Sequence, residues 1–518
     1  KNIIEKKQLF ITGFLGFLFI SILLLAPWIG SDFFPEVDAG KFKLHVRAPT
    51  GTRVEETAKL CDQIDTVIRR IIPADEIDSI VDNIGLPFSG INLSYSNSAT
   101  LGPEDADIFV SLTASHRSTA DYVRMLREIL PKEFPGISFS FLPADIVTQI
   151  LNFGLPAPID VQVIGLKLEE NRKYAAMLLE RIRHVPGIVD AHIQQSYNYP
   201  QLNVDVDRSF AKELGLTQFD VGSNMLISLS GSFQTTPTFW LNYDNGVSYP
   251  LVTQTPQYRL TNLEQLKNIP MHDPTQQGQI LGALATITRG VAPAVESHYN
   301  VQPVIDIFAN IQDRDLGAVA RDINKIIADT SKDVPLGSSV VARGQMQTQQ
   351  SSFSGLYFGL GFAVILVYLL IVVNFQSWKD PFIIITALPA AIAGIVWMLF
   401  ITGTTLSVPA LTGAIMCMGV ATANSILVVS FARSQMANGE SVLNAALTAG
   451  YTRIRPVLMT ALAMIIGMLP MALGLGEGGE QNAPLGRAVI GGLLFATVAT
   501  LFFVPAVFCL IHGQKNHA

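Results

Sequence analysis

Six apolar stretches, each long enough to cross a bilayer, divide this sequence one plus five around a long polar segment. They occupy residues 9–29, 353–373, 382–401, 409–431, 456–475 and 488–511, and the polar segment runs over 31–352. Inside lipid a backbone must satisfy its own hydrogen bonds, so each stretch is committed to a helix. None of the six contains an Asp, a Glu or a Lys. A proton- or ion-driven engine needs a titratable group at membrane depth, so this chain is expected to supply only half of one.

Orientation is read from the basic residues beside short connections. Lys1, Lys6 and Lys7 precede the first stretch, Lys379 lies between the second and third, Arg433, Arg453 and Arg455 between the fourth and fifth, and Lys515 after the sixth. All fall on one side, which predicts cytoplasmic termini and an outward-facing 31–352. The turn at 476–487 holds Glu477, Glu480 and only Arg487 as a base, as expected of the opposite face. Of 518 residues 49% are hydrophobic and 15% charged, and the formal net charge is -7, which excludes nucleic acid as a partner. Cys417 and Cys509 lie in apolar stretches and Cys61 alone lies outside them, so there is no disulfide framework. The sequence opens on Lys, and its first apolar stretch is too long for a signal peptide and lacks a small-residue cleavage site. The chain therefore reads as a fragment, or as the product of a split or processed larger protein.

The outward segment alternates strand-like and helix-like runs. Strands are predicted over 41–48, 77–84, 106–112 and 137–141 and helices over 54–72 and 120–130, which makes a β-α-β-β-α-β unit. A second pass has strands at 159–164, 188–193 and 201–206 around a helix at 169–183, and returns as a strand at 303–309, a helix at 316–328 and a strand at 339–342. The interval from about 208 to 291, rich in Gln, Thr, Asn and Gly with strand signals at 248–252 and 279–287, reads as an insertion suited to a partner.

The membrane half carries sharper motifs. The run Gly419-Val420-Ala421-Thr422-Ala423-Asn424-Ser425 sets an amide and hydroxyls at mid-span, where an unpartnered polar group costs on the order of several kcal/mol. Helix–helix adhesion is one use for such a run. Thr460 can bond its own backbone, and Arg453 and Arg455 can act as orientation anchors. Taken with Phe375-Gln376-Ser377-Trp378, Pro381-Phe382, Pro389, Asn424-Ser425-Ile426-Leu427, Arg453-Ile454-Arg455-Pro456-Val457-Leu458-Met459-Thr460, Gln481-Asn482-Ala483, Gly491-Gly492 and Phe503-Val504-Pro505, the chain resembles the second half of a resistance-nodulation-division (RND) permease. Pro35-Glu36-Val37-Asp38-Ala39-Gly40 and Arg47-Ala48-Pro49-Thr50-Gly51 extend the resemblance into the outward part.

The resemblance implies an α+β polytopic membrane protein, with spans seven to twelve of the permease and two β-α-β-β-α-β porter subdomains carrying a docking-domain insertion. The division expected is 1–30 for a cytoplasmic stub and first transmembrane helix, 31–145 for the first porter subdomain, 146–207 and 292–352 for the two parts of the second, 208–291 for the docking insertion and 353–518 for a five-helix bundle. It implies a secondary transporter in a bacterial inner membrane, not an enzyme, which needs no cofactor beyond the proton motive force. Expected partners are an amino-terminal half carrying the span-four carboxylates, a homotrimer of the full permease, a periplasmic adaptor, an outer-membrane channel and the lipid bilayer. Asn424, Thr460 and Arg453 match proton-relay positions, but Ala423 stands where drug exporters commonly have Lys, so a Lys–carboxylate pair is ruled out.

Val81, Asn83, Leu86, Phe88 and Phe109 fall at positions resembling the distal pocket and switch loop, and Phe139, Phe141, His192 and Gln194 at positions resembling the entrance pocket. Core packing is the competing reading for Phe109 and Phe139. Aromatic-lined pockets suit amphiphiles, so the expected function is half of a proton-driven multidrug-type pump for amphiphilic or hydrophobic compounds. The alternatives are a heavy-metal exporter of the same family and a non-transporting scaffold or regulatory half. A metal exporter calls for Met, Cys or His in the porter pocket, whereas the dense Met set lies in the membrane and no metal-ligand set is apparent.

Overall fold

A computed structural model describes residues 7–86, 100–271, 278–476 and 478–513. The chain divides into two compact units, Ser196–Ala294 and the surrounding Lys1–Gln195 with Val295–Ala518.

Among the described residues, 6 helices are long and apolar enough to cross a membrane. They are Lys7–Trp28, Gln345–Phe375, Lys379–Ile401, Val408–Ala437, Val442–Ala472 and Ala483–His512, the first to sixth spans in order. Each contains most of an expected stretch, and several run on past it. The third, fourth and sixth spans bury much of themselves against one another, whereas the first, second and fifth are mostly exposed. Close approach is made by glycines: a Cβ on Gly394 would lie 2.3 Å from the Gly491 carbonyl, and one on Gly492 would lie 2.5 Å from Cys417 Sγ. An apolar cavity of about 600 Å³ opens beside the third span, lined by Ile11, Leu15, Leu360, Phe382, Pro389 and Phe503 among others.

The third helix begins early enough to include Asp380, an acid that the apolar window does not contain. Its carboxylate is buried and lies 3.3 Å from both Arg433 and His512 at the ends of the fourth and sixth spans. It is a paired anchor at a helix end, not a free acid at membrane depth.

The first α/β unit has strands β1 (Lys41–Arg47), β2 (Ile77–Ile84), β3 (Asp105–Leu112) and β4 (Ser138–Leu142), in the order β2-β3-β1-β4. Helices Val54–Ile71 and Thr119–Glu133 cover one face. Glu55 and Glu56 in the first turn of the former and Arg69 and Arg70 in its last complement the helix dipole. Ile64, Ile68, Leu126 and Leu130 from the helices meet Leu44, Val46, Ile108 and Val110 from the sheet.

The second unit starts with β5 (Ile159–Ile164) and β6 (Ile188–Ile193) around helix Leu168–Arg183. The insertion follows, with β7 (Tyr199–Val206), β8 (Thr238–Leu241), β9 (Ser248–Leu251), β10 (Pro270–Met271), β11 (Gln279–Ile280) and β12 (Ala285–Ala292). Here the expectation needs correcting. The strand predicted at 201–206 does not join the second sheet; it is β7, paired with β12 inside the insertion. Alternation identifies a strand but not its partner, so the insertion is Ser196–Ala294, not 208–291. The single strand predicted at 279–287 is interrupted by the turn Leu281–Leu284, whose leucines fill the insertion core. The second unit resumes with β13 (Ser297–Tyr299), β14 (Gln302–Ile311), helix Leu316–Asp329 and β15 (Ser339–Gly344), and β14 pairs with β5, β6 and β13.

The link after the first span ties these parts together. Ser31 N donates to Asp315 Oδ2 at 2.9 Å, Leu316 N to Asp32 Oδ1 at 2.7 Å, and Gln349 Nε2 of the second span to the Ser31 carbonyl at 2.8 Å. Asp38 N donates to Glu480 of the connection between the fifth and sixth spans at 2.9 Å.

Candidate functional site

Two polar regions stand out, one among the spans and one on the sheet faces away from the helices. In the first, Thr460 Oγ1 of the fifth span lies 3.0 Å from Asn424 Oδ1 of the fourth and also 3.0 Å from its own Val457 carbonyl, so it can donate to either. Asn424 is buried, while Thr460 opens onto the exposed side of the fifth span. Ser425 shares a 3.0 Å hydrogen bond with Thr500 of the sixth span. Arg453 stands apart, two helical turns, or about 10 Å, before Thr460. Its guanidinium lies 4.7 Å over the Phe431 ring, and its Nε has no hydrogen-bond partner among the described residues. The structure thus brings together two of the three expected relay residues. Amides and hydroxyls can reorient hydrogen bonds but cannot hold an extra proton near neutral pH, so this seam needs an acid from outside it.

The second region follows from the pleat. Lys43, His45 and Arg47 alternate along β1 with Phe42, Leu44 and Val46, and only the apolar set faces the helices. Register places His45 beside Asp107 and Arg47 beside Asp105. His45 Nδ1 is 2.8 Å and Lys43 Nζ 2.9 Å from the Asp107 carboxylate, and Arg47 binds Asp105 in bidentate fashion at 2.9 and 3.2 Å. Burial alone would raise the Asp107 pKa, but the hydrogen bond and charge of His45 and the Lys43 ammonium hold it below the usual carboxylate range. Val81 and Asn83 of β2 pair with Phe109 and Asp107, and so share this face with Lys43, whose ammonium lies 4.8 Å over the Phe109 ring.

The matching face of the second sheet is also charged. Gln162 Nε2 donates to Asp160 at 2.8 Å and Asp306 at 3.0 Å, and Gln195 Nε2 donates to Asp306 at 2.6 Å. Burial, then the neighbouring Asp306 charge, pushes the Asp160 carboxyl up to about 8. His192 of β6 is held down to about 4 by burial and stands edge-on to Phe308 at 6.2 Å. Arg47 Nη1 donates to the Gln194 carbonyl at 3.2 Å, and Gln194 N donates to the Asp306 carbonyl at 3.0 Å, which joins the two faces.

Of the expected substrate contacts, Val81, Asn83 and Phe109 lie together on the open first face, and His192 and Gln194 lie at the second. Leu86 is exposed at the end of β2, and Phe88 lies outside the described residues. Phe139 and Phe141 are placed differently from the expectation. They pair with Val46 and Leu44, which puts both on the helix-covered side; Phe141 is buried in the core and Phe139 packs against it. The pocket reading overlooked Lys43, His45, Arg47, Asp105, Asp107, Asp160 and Asp306. Their signal is a polar residue at every second position of strands that are otherwise apolar. Among the described residues, no group of three His, Cys, Asp or Glu is arranged to hold a metal ion.

A family model described as AcrB/AcrD/AcrF family matches residues 1–512. The chain belongs to this family. The cobalt-zinc-cadmium resistance protein CzcA of Cupriavidus metallidurans is 27% identical over 536 residues, covering 100% of this chain and 48% of that protein. The cation efflux system protein CusA of Escherichia coli K12 is 25% identical over 503 residues, covering 94% of this chain and 46% of that one. Crystal form I of a heavy metal efflux pump matches with a TM-score of 0.81 and 25% identity over 97% of this chain and 50% of the other. The chain spans about half the length of the curated relatives it matches.

Proposed function

We propose that this chain is the carboxyl-side half of an exporter for metal cations, driven by the proton gradient through a companion half that supplies the membrane carboxylates. The observation that carries this reading is the character of the two sheet faces, where Asp107, Asp160 and Asp306 stand with His45 and with His192, itself an expected contact, although no three of them converge as a preformed metal site among the described residues. Carboxylate and imidazole are ligands for hard and borderline divalent cations. The relatives named for cobalt, zinc and cadmium resistance and for cation efflux support the same cargo, so metal replaces amphiphile as the preferred substrate class.

The faces suit transient capture. Asp160 holds a proton near neutral pH, and an arriving cation would displace it, because ligands bind metals deprotonated. In the membrane, Asn424 and Thr460 would orient hydrogen bonds toward a carboxylate of the companion half across the open side of the fifth span, with Arg453 nearer the cytoplasmic end. The assembly proposed is an inner-membrane homotrimer of the full permease, with both termini of this chain cytoplasmic, joined to a periplasmic adaptor and an outer-membrane channel. Expression of the complete permease in a metal-sensitive host tests the cargo: tolerance to zinc, cobalt or cadmium should rise and cellular metal should fall. Unchanged metal content would overturn the reading.

A second reading, export of amphiphiles, is favoured by one observation. The apolar cavity beside the third span has a volume of about 600 Å³ and is lined by hydrocarbon side chains apart from Met418 and Thr386. Lower accumulation of lipophilic dyes with unchanged metal content would select it.

A further inference from the structure

Pro505 lies inside the sixth span, where it has no N–H to donate and its ring crowds the carbonyl four residues back. The helix widens in response: Ala499–Phe503 is a π turn between the α-helical segments Ala483–Val498 and Val504–His512. Thr500 sits on this turn, fully buried, with its hydroxyl 3.0 Å from that of Ser425. Ser425 Oγ also lies 2.9 Å from the Ala421 carbonyl, and when Ser425 donates there Thr500 is the donor of the pair. Neighbouring hydroxyls are used differently: Thr422 and Thr497 bond the carbonyls of Met418 and Leu493 on their own helices.

Asn424 and Ser425 are consecutive, so their side chains leave the fourth span roughly 100° apart. The fifth span holds one through Thr460, and the sixth holds the other through Thr500. A helix gripped on one side can roll about its axis, whereas two grips at different bearings fix the roll. We propose that Thr500 is a positioning residue for proton coupling: its hydroxyl, carried on the π turn, sets the roll of the fourth span and so presents the Asn424 amide to Thr460. The inference rests on the proposed export function. It goes further in naming the element that holds the relay, a single π turn of the kind that recurs at functional sites. The fifth span nears the same turn at Gly450, where an added Cβ would lie 3.9 Å from the Leu501 carbonyl.

The test uses the complete permease, this chain with its companion half. Thr500→Val removes the donor at nearly constant volume, and Thr500→Ser keeps it. Proton-driven zinc flux per assembled molecule should fall roughly three- to twentyfold in Thr500→Val, the worth of one hydrogen bond between membrane helices, and should recover in Thr500→Ser. Wild-type flux and pH profile in Thr500→Val would overturn the proposal. So would equal loss of protein amount in both variants with normal flux in what remains. A second readout does not depend on export. Disulfide formation between Val420→Cys and Met464→Cys, whose native side chains pack against one apolar cluster to which the second to sixth spans contribute, reports the roll of the fourth span against the fifth. Its yield should change in Thr500→Val and return in Thr500→Ser; an unchanged yield contradicts the proposal. If the wild-type permease moves no zinc but the yield responds, the cargo reading has failed and the positioning claim stands.

Discussion

Asp160 and Asp306 lie on neighbouring strands, bridged by the Gln162 side-chain amide, which donates to Asp160 at 2.8 Å and to Asp306 at 3.0 Å. Two carboxyls buried so close cannot both ionise cheaply, and burial together with the Asp306 charge keeps Asp160 protonated up to about pH 8.

That raised value makes stability depend on pH in a defined direction. Between the ordinary carboxylate value and about 8 the folded chain binds one proton more than the unfolded chain, so stability falls as pH rises, by up to about 1.4 kcal/mol per unit. Above that window the Asp160 contribution is constant. Asp160→Asn should remove this slope and gain on wild type toward alkaline pH. Thermal unfolding from about pH 5 to about pH 9 checks it; parallel curves for the two proteins would refute the assignment.

Asn424→Ala and Thr460→Ala should each impair proton-coupled export while leaving abundance near normal. A single hydrogen bond between membrane helices contributes only about 0.6 to 1.7 kcal/mol to stability. Transport per molecule at matched protein level separates the possibilities, and variants that vanish from the membrane while the remainder works normally would mark the pair as structural adhesion.

Phe141→Ala should cost about 3 to 5 kcal/mol, since its ring is buried in the first α/β core. Phe109→Ala, on the open face, should leave protein amount nearly unchanged. The contrast is read from abundance and melting temperature. Equal losses would mean that the two faces of the first sheet are not distinguished as described.

Much of this was legible in the sequence. The strands at 77–84, 159–164 and 188–193 appear with the predicted bounds: apolar residues recur at period two in Ile159, Val161 and Val163 and in Val189, Ala191 and Ile193, whereas 77–84 was marked by its β-branched residues and the turn Gly85 after it. Asn424 and Thr460 were singled out through the family resemblance, and their motif alone did not pair them; Thr460 also lies 3.0 Å from its own Val457 carbonyl, as its sequence allowed. The partner of Tyr199–Val206 was not legible, because alternation contains no pairing information. The sides taken by Phe139 and Phe141 were lost for a related reason: Ser138-Phe139-Ser140-Phe141 shows which residues share a face, but only the covering helices decide which face is core. Thr500 was hidden because a π turn departs from the 3.6-residue period on which helix-face reasoning depends.

Expressed without its companion, this chain should show no substrate-dependent proton flux in sealed vesicles. Asp380, the acid at the end of the third span, is occupied by Arg433 and His512, and the Asn424–Thr460 seam offers no titratable group. Flux from the chain alone would end the half-engine account.

The most direct measurement is metal movement itself. Vesicles containing the complete permease, with an imposed pH gradient and a zinc-sensitive dye, should show proton-driven zinc transport that Asp160→Asn and Asp306→Asn each diminish without loss of protein. Proton-driven movement of a lipophilic dye in the same vesicles, with no zinc transport and no effect of either substitution, would contradict the account.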